Sequence, residues 1–539
     1  MPSLLSWLAL LGPVLLLLPG LVPASAADRD PRRMRRATLA AAAGAAGLAL
    51  AIALALMVTG RAVPGSIVHL DAVSATMLLL VSGIGAVVVD YSRRYLDGDP
   101  GQGRFLKWLA LTLAAVLVLV MAGNLALLLG AWVATSLGLH RLLVFYPDRP
   151  AAALAARKKF LAARVADTAL LAAVLLAWQC FGTLEIAGIQ QAARGMTDPG
   201  LAVHGIALLL ALAAVLKSAQ FPAHGWLTEV METPTPVSAL LHAGIINAGG
   251  FLLVRLADVI ALSAGAMDLL LLIGALTAVF GAAVMLVQTS VKVTLAWSTI
   301  AQMGFMVMQV GLGAFAAALL HIVAHGLYKA HAFLTAGGVA AERRPDRLPA
   351  LPLRVIVPSL AGAVLLVLLV GATLGLPFWQ APGPAVLGSV LVMALVPTLA
   401  TGAAGRATPG FALRAAGIAG GVAVAYFGLQ AGADALLGAA LPDRIADRSL
   451  LAPVLCVLAV LAFATLLVLN VARRNAVPGR LPSRSATAGD GQPGSTLTGA
   501  AAFQRSVLES LYVHLLNGFA VNTAVNRLLG RTRPAPGTR

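Results

Sequence analysis

Apolar runs of roughly 20 residues recur along most of the chain, and each is long enough to cross a bilayer as a helix. Lipid offers backbone N–H and C=O groups no water, so such a run must satisfy its hydrogen bonds internally. The apolar faces are continuous rather than alternating, which points to helices and away from a β-barrel. The sequence therefore predicts an all-α, polytopic membrane helical bundle. Composition agrees. Of 539 residues, 60% are hydrophobic and 11% charged, against about 25% charged in ordinary soluble domains.

The runs fall at about 37–60, 69–90, 106–122, 124–146, 160–181, 201–220, 235–257, 267–287, 293–312, 313–338, 354–375, 384–404, 410–430 and 450–472. Another precedes them: Val14 to Leu18, followed by Ala24-Ser25-Ala26, has the look of a signal peptide. No positive charge comes before it, and Arg29, Arg32, Arg33, Arg35 and Arg36 come after, so an uncleaved first helix is expected. That makes roughly fifteen crossings in all. Basic loops alternate with poorly charged ones, which predicts an N-terminus outside and the Arg29 to Arg36 cluster in the cytoplasm. The organisation expected is 1–60 as N-terminal helices, 69–338 as a core, 354–472 as C-terminal helices and 473–500 as a linker. In the remainder, 501–539, an amphipathic helix spans Phe503 to Leu529. That helix suits a membrane surface, a partner, or docking on its own bundle.

The net charge of +17 follows from arginines in short loops, and no aromatic residues interleave with them, which argues against nucleic-acid binding. Cys180 and Cys456 stand in separate apolar runs without metal-ligand spacing and read as small buried hydrophobes. No cofactor is expected in this chain.

The chain has six lysines among its 38 basic residues. Lys107, Lys158 and Lys159 read as loop or helix-end residues, whereas Lys217, Lys292 and Lys329 fall inside or at the edge of apolar segments. A buried lysine can release its proton and arginine effectively cannot. A charge within the membrane costs at least about 2.5–3.5 kcal/mol on insertion scales, so it marks function by default. For Lys292, snorkelling to the interface is the competing explanation. After Lys217, Pro222 and then Pro234-Thr235-Pro236 predict a broken helix near 217–236, the device by which transporters build ion sites at the midplane.

His321, His325 and Lys329 recur at i, i+4 and i+8 and form one stripe on a helix. A proton relay, histidines satisfied by carbonyls, and a metal pair are the three readings. The metal pair lacks a completing carboxylate or cysteine, and a lysine on the same face opposes a cation. His242 either bridges Lys217 to the stripe or is satisfied by a carbonyl. Asp167, three residues after Arg164, is either a structural ion pair or a carboxylate that tunes Lys217. Asp71, near a helix start, reads as a cap or dipole partner. Glu232 is a candidate coupling carboxylate. No nucleophile elbow, phosphate loop or metal set supports catalysis by this chain alone.

The segments Lys217-Ser218-Ala219-Gln220-Phe221-Pro222 and Pro234-Thr235-Pro236-Val237-Ser238-Ala239-Leu240-Leu241-His242-Ala243 resemble the core signature of the antiporter-like subunits of respiratory complex I and Mrp antiporters. Lys292 to Gly304, followed by His321, His325 and Lys329, resembles it too, and the likeness runs from about Leu70 to Gly338. It implies that Lys217 and Lys329 carry protons, that His242, His321 and His325 belong to a hydrophilic axis, and that Arg164 and Asp167 adjoin the first lysine.

Two positions depart from the pattern. Trp132 is followed by Val133 where the family usually has a glutamate, and 354–375 has no ionisable residue after Arg354. The long lateral helix of respiratory members has no counterpart. Met231-Glu232-Thr233-Pro234, His242 to Phe251 and Ala156-Arg157-Lys158-Lys159-Phe160 resemble instead the membrane subunits (DabB) of DAB-type inorganic-carbon transporters. That resemblance implies a soluble zinc-binding partner, DabA, similar to a β-carbonic anhydrase, in which cation flux drives carbon dioxide hydration to bicarbonate. The alternative it leaves is an Mrp- or complex I-like cation/proton antiporter subunit.

Overall fold

In the computed structural model, residues 2–230, 233–338, 350–376, 378–404, 409–442, 445, 448–475, 513–521, 523 and 527 are described. Helices account for nearly all of them, and no β-strand occurs among them. In chain order they are α1 (Pro2–Gly20), α2 (Ala24–Arg29), α3 (Pro31–Thr59), α4 (Ala72–Tyr95), α5 (Gln102–Met121), α6 (Leu125–Leu143) and α7 (Pro150–Phe181). Next come α8 (Ile186–Arg194), α9 (Leu201–Lys217), α10 (Gly225–Glu229), α11 (Thr235–Ala243), α12 (Ala248–Arg255) and α13 (Ala257–Ile260). The chain continues with α14 (Ala264–Met285), α15 (Val291–Gly311), α16 (Phe315–Thr335), α17 (Leu353–Thr373), α18 (Pro382–Ala404), α19 (Pro409–Leu437) and α20 (Ala452–Asn475).

Among the described residues twelve helical segments are long and apolar enough to span a membrane, with α11 and α12 counted as one segment, Thr235–Arg255. Two shorter apolar helices, Leu4–Gly20 and Leu201–Lys217, and the 21-residue α16, polar from its histidines and lysine, bring the set to fifteen. The expected polytopic helical bundle is what the chain forms.

Helix ends follow local chemistry. Asp71 caps α4 in a reciprocal box with Ser74, each side chain bonding the other's backbone N–H at 2.8 Å. Asn124 accepts from Leu127 N at 2.8 Å at the start of α6, and Gly60 and Gly182 close α3 and α7 in the left-handed region that glycine adopts without cost. Asp71 does more than cap. Both its carboxylate oxygens accept from Arg255 at the end of α12, at 2.7 and 3.0 Å, and His69 Nε2 lies 3.3 Å away. The pair fastens the start of α4 to the end of α12, deep in the protein.

Three sequence expectations need correction. The run 235–257 is not one helix, because Gly244 leaves helical geometry and a 3-10 turn, Ile245–Asn247, separates α11 from α12. Lys158 and Lys159 are not in a loop or at a helix end. The helix α7 starts ten residues earlier than the apolar run, and both lysines are about 5% exposed within it. Cys180 is exposed on α7, where it was expected to be buried; Cys456 is buried.

Candidate functional site

The helix α9 ends at Lys217, and the chain turns through Ser218 to His224 before the one-turn α10. Lys217 Nζ is thereby placed in the interior against α6. It donates to Ser136 Oγ at 2.9 Å and to the Trp132 carbonyl at 3.3 Å, and it lies 4.2 Å from the centroid of the Trp132 ring. The ring's negative face supplies attraction that no nearby carboxylate provides directly. Trp132 Nε1 in turn donates to Asp167 Oδ1 at 2.9 Å, and Asp167 is paired with Arg164. Asp167 and Lys217 thus share Trp132 as a contact without a direct hydrogen bond between them.

Lys159 joins the same cluster, donating to the Ser136 carbonyl at 2.7 Å. Lys158, the preceding residue and so turned about 100° around α7, has its Nζ against both carboxylate oxygens of Glu229 at 2.6 Å. A cavity of about 20 Å³, bordered by Ser136, Lys159, Lys217, Trp226 and Leu241, lies between the two lysines. That volume holds about one water, and the polar partners such a water needs surround it.

The second cluster lies across α11. Leu241 faces the Lys217 cavity, and its neighbour His242 turns the other way. His242 Nδ1 is 3.0 Å from Thr299 Oγ1 on α15, its ring stacks on Phe333 with centroids 4.4 Å apart, and its carbonyl faces His325 Nε2 at 3.2 Å. His325 and His321 stack 6.1 Å apart along α16, and Lys329 Nζ donates to the Leu295 carbonyl at 3.0 Å. Lys329 is wholly buried. His321 ends the row beside a lateral cavity of about 440 Å³, next to Phe305. Lys292 is half-buried and donates to Thr235 Oγ1 at 3.2 Å, at the first turn of α11.

Small residues allow these approaches. A Cβ on Gly326 would come within 2.8 Å of the Ala243 carbonyl, so glycine there lets α16 lie against α11. A Cβ on Gly249 would sit 2.3 Å from Ser218 Oγ and 2.5 Å from the Ala214 carbonyl, so α12 meets the end of α9 backbone to backbone.

The predicted residues therefore fall into two groups, Lys217 with Arg164 and Asp167, and His242 with His321, His325 and Lys329. Lys292 stands at the edge of the second. Among the described residues no hydrogen bond joins His242 to Lys217, so the bridge considered from sequence is not a direct one. Glu232 lies outside the described residues. Sequence reasoning missed Trp132, Ser136 and Lys159 as partners of Lys217, and it missed Glu229. The Lys158-Lys159 pair was the one available signal.

A helical bundle carrying two interior clusters of lysine and histidine, beside a helix broken at Lys217, defines the antiporter-like class of membrane subunits. Residues 122–396 match the family described as NADH:quinone oxidoreductase/Mrp antiporter, TM, and residues 67–106 match NADH-Ubiquinone oxidoreductase (complex I), chain 5 N-terminus. The chain belongs to the NADH:quinone oxidoreductase/Mrp antiporter family. It is 45% identical over 324 residues to the probable inorganic carbon transporter subunit DabB2 of Halothiobacillus neapolitanus, covering 59% of each chain. To the probable inorganic carbon transporter subunit DabB of Hydrogenovibrio crunogenus it is 47% identical over 311 residues, 58% of this chain and 59% of the relative. The match thus spans about three fifths of these relatives' length. The structure is similar to that of the Mrp complex from Dietzia sp. DQ12-45-1b, with a TM-score of 0.63 and 26% identity over 99% of this chain and 64% of that one.

Proposed function

We propose that this chain is the membrane subunit of an energy-coupled inorganic-carbon pump, conducting protons or sodium so that carbon dioxide is hydrated in a soluble partner. The observation that carries the carbon assignment is the 45–47% identity, over 324 and 311 residues, to subunits named as inorganic carbon transporters. The partner expected is a zinc-binding, β-carbonic-anhydrase-like subunit (DabA), which would hold the metal and the chemistry. The membrane is the bacterial inner membrane with the N-terminus in the periplasm.

In this reading Lys217 is the central carrier and Lys329 the second. His242, His321 and His325 relay between them and the lateral cavity, and Lys292 borders the path. Arg164 and Asp167 set the electrostatics of Lys217 through Trp132. A neutral bed of serine, indole and carbonyl suits a carrier that must both hold and release a proton, since nothing there locks the ammonium as a directly bonded carboxylate does. In the same reading Lys159, which donates to the Ser136 carbonyl, joins the carriers. A second reading, a cation/proton antiporter subunit of Mrp type, is favoured by the structural likeness to the Mrp complex along 99% of the chain.

The test is uptake of labelled inorganic carbon in a carbonic-anhydrase-deficient bacterial host expressing this chain with the soluble protein encoded beside it. Accumulation that disappears on uncoupling and in Lys217→Ala supports the pump. An assembled complex that accumulates nothing, yet shows cation-dependent proton flux in vesicles, sinks the carbon assignment in favour of the antiporter.

A further inference from the structure

A cleft of about 540 Å³ opens where α3 ends and α4 begins, bounded also by the end of α19 and by the short helix α8. Its volume lies in the range of about 300–1,000 Å³ typical of ligand pockets. Part of its wall is apolar and faces outward: Met57, Leu79 and Leu436 line it and are 71%, 37% and 54% exposed. On spanning helices such side chains meet hydrocarbon rather than water. At the helix ends the lining changes to Arg61, Arg194 and His69.

The charges there do not balance. Asp71 is taken by Arg255, and Asp258 is paired with Arg194, which also donates to the Leu441 carbonyl. Arg61 makes no ion pair among the described residues, so one positive charge is left over at the mouth of an apolar cleft. His69 is a second, independent feature. It is 6% exposed, and its Nε2 faces the Asp71 carboxylate. A carboxylate held by arginine only accepts, so Nε2 carries a proton, and in the neutral ring Nδ1 is an acceptor. Nδ1 is buried and has no hydrogen-bond partner among the described residues.

We propose that this cleft binds one anionic phospholipid with a hydroxylated headgroup, of the phosphatidylglycerol kind. The phosphodiester lies at Arg61 beside Arg194, a headgroup hydroxyl donates to His69 Nδ1, and an acyl chain runs along Met57, Leu79 and Leu436. An uncompensated cation calls for an anion, a buried acceptor calls for a hydroxyl, and outward-facing apolar walls call for a hydrocarbon tail. One lipid meets all three. The occupant would wedge α19 against α3 and α4.

The experiment is native mass spectrometry and thermal unfolding of the full chain, purified in mild detergent, delipidated, and supplied with phosphatidylglycerol, phosphatidylcholine, inorganic phosphate or bicarbonate. The wild type should retain one phosphatidylglycerol and unfold at a higher temperature when it is added. Phosphatidylcholine and the two free anions should do neither. Arg61→Glu should lower retention tenfold or more, and so should Met57→Trp, which fills the cleft from its apolar side without touching a charge. Equal protection by phosphate or bicarbonate would mean a free-oxyanion pocket and overturn the lipid. Equal protection by phosphatidylcholine would mean unselective solvation, and overturn it too. If Arg61→Glu does not yield monodisperse protein, Met57→Trp decides, and its retention of the lipid at wild-type level overturns the site.

Discussion

Lys159 and Lys217 reach the same residue from two helices: Lys159 Nζ donates to the Ser136 carbonyl at 2.7 Å and Lys217 Nζ to the Ser136 hydroxyl at 2.9 Å. Both are buried, so little solvent screens one from the other. The proton occupancies of such neighbours are interdependent and belong to the pair rather than to either group. The one carboxylate in the cluster, Asp167, bonds to Trp132 and Arg164 and to neither lysine.

Lys159→Arg separates a relay from a fixed charge. Arginine keeps the positive charge but does not release a proton in a protein. Proton flux measured with a pH-sensitive dye in proteoliposomes of the assembled complex should fall by roughly tenfold or more, within the range that a positioned proton-transfer group contributes. Flux at the wild-type level would reduce Lys159 to a static charge beside Lys217.

Trp132→Phe tests whether Asp167 acts through the indole. The substitution keeps an aromatic face under Lys217 Nζ and removes the Nε1–H that holds Asp167. Leaving a buried acceptor short of a donor costs about 1–3 kcal/mol. The expected result is an assembled protein with lowered thermal stability and reduced flux, and Asp167→Asn in the Trp132→Phe background should add little further loss. Additive losses would show that Asp167 influences transport by another route.

The spans were legible because lipid imposes one solution on any long apolar run, and Lys217, Lys329 and the histidine stripe stood out as ionisable groups within those runs. The partners of Lys217 did not. A tryptophan and a serine in an apolar helix are ordinary residues, and only the approach of α6 to the end of α9 makes Trp132 and Ser136 into ligands of an ammonium. Lys158 and Lys159 sit next to Arg157, in a stretch as polar as any loop, so the sequence hid that α7 begins at Pro150 and carries them inward. The break at Gly244 was hidden for a related reason. Glycine is common in membrane helices, and its role here depends on what α11 and α12 must fit against.

Arg255→Ala should be among the costliest single changes in the protein. Arg255 is almost fully buried and holds both oxygens of Asp71, which caps α4 at the same time. Removing one partner of a buried pair leaves an uncompensated charge and typically costs about 3–5 kcal/mol. In thermal unfolding by tryptophan fluorescence in detergent, Arg255→Ala should therefore lower the midpoint more than Asp71→Asn combined with Arg255→Met. A single variant no worse than the double would mean that Asp71 finds another counter-charge.

Gly249→Ala asks how closely α9 and α12 must pack to hold Lys217. The added methyl would meet Ser218 Oγ at 2.3 Å and the Ala214 carbonyl at 2.5 Å, and the latter is backbone that cannot rotate away. Overpacking of this kind costs about 1–3 kcal/mol. The strain falls on the last turn of α9, immediately beside Lys217, so the relative displacement should be felt at the lysine before it is felt by the fold as a whole. The expected outcome is a protein that still assembles, with flux reduced by more than its loss of thermal stability accounts for. Gly326→Ala, which presses on the Ala243 carbonyl from α16, provides the matching test of the second cluster. If both variants lose stability and flux in proportion, the glycines serve packing alone, and the position of Lys217 tolerates more movement than its hydrogen bonds to Ser136 and Trp132 imply.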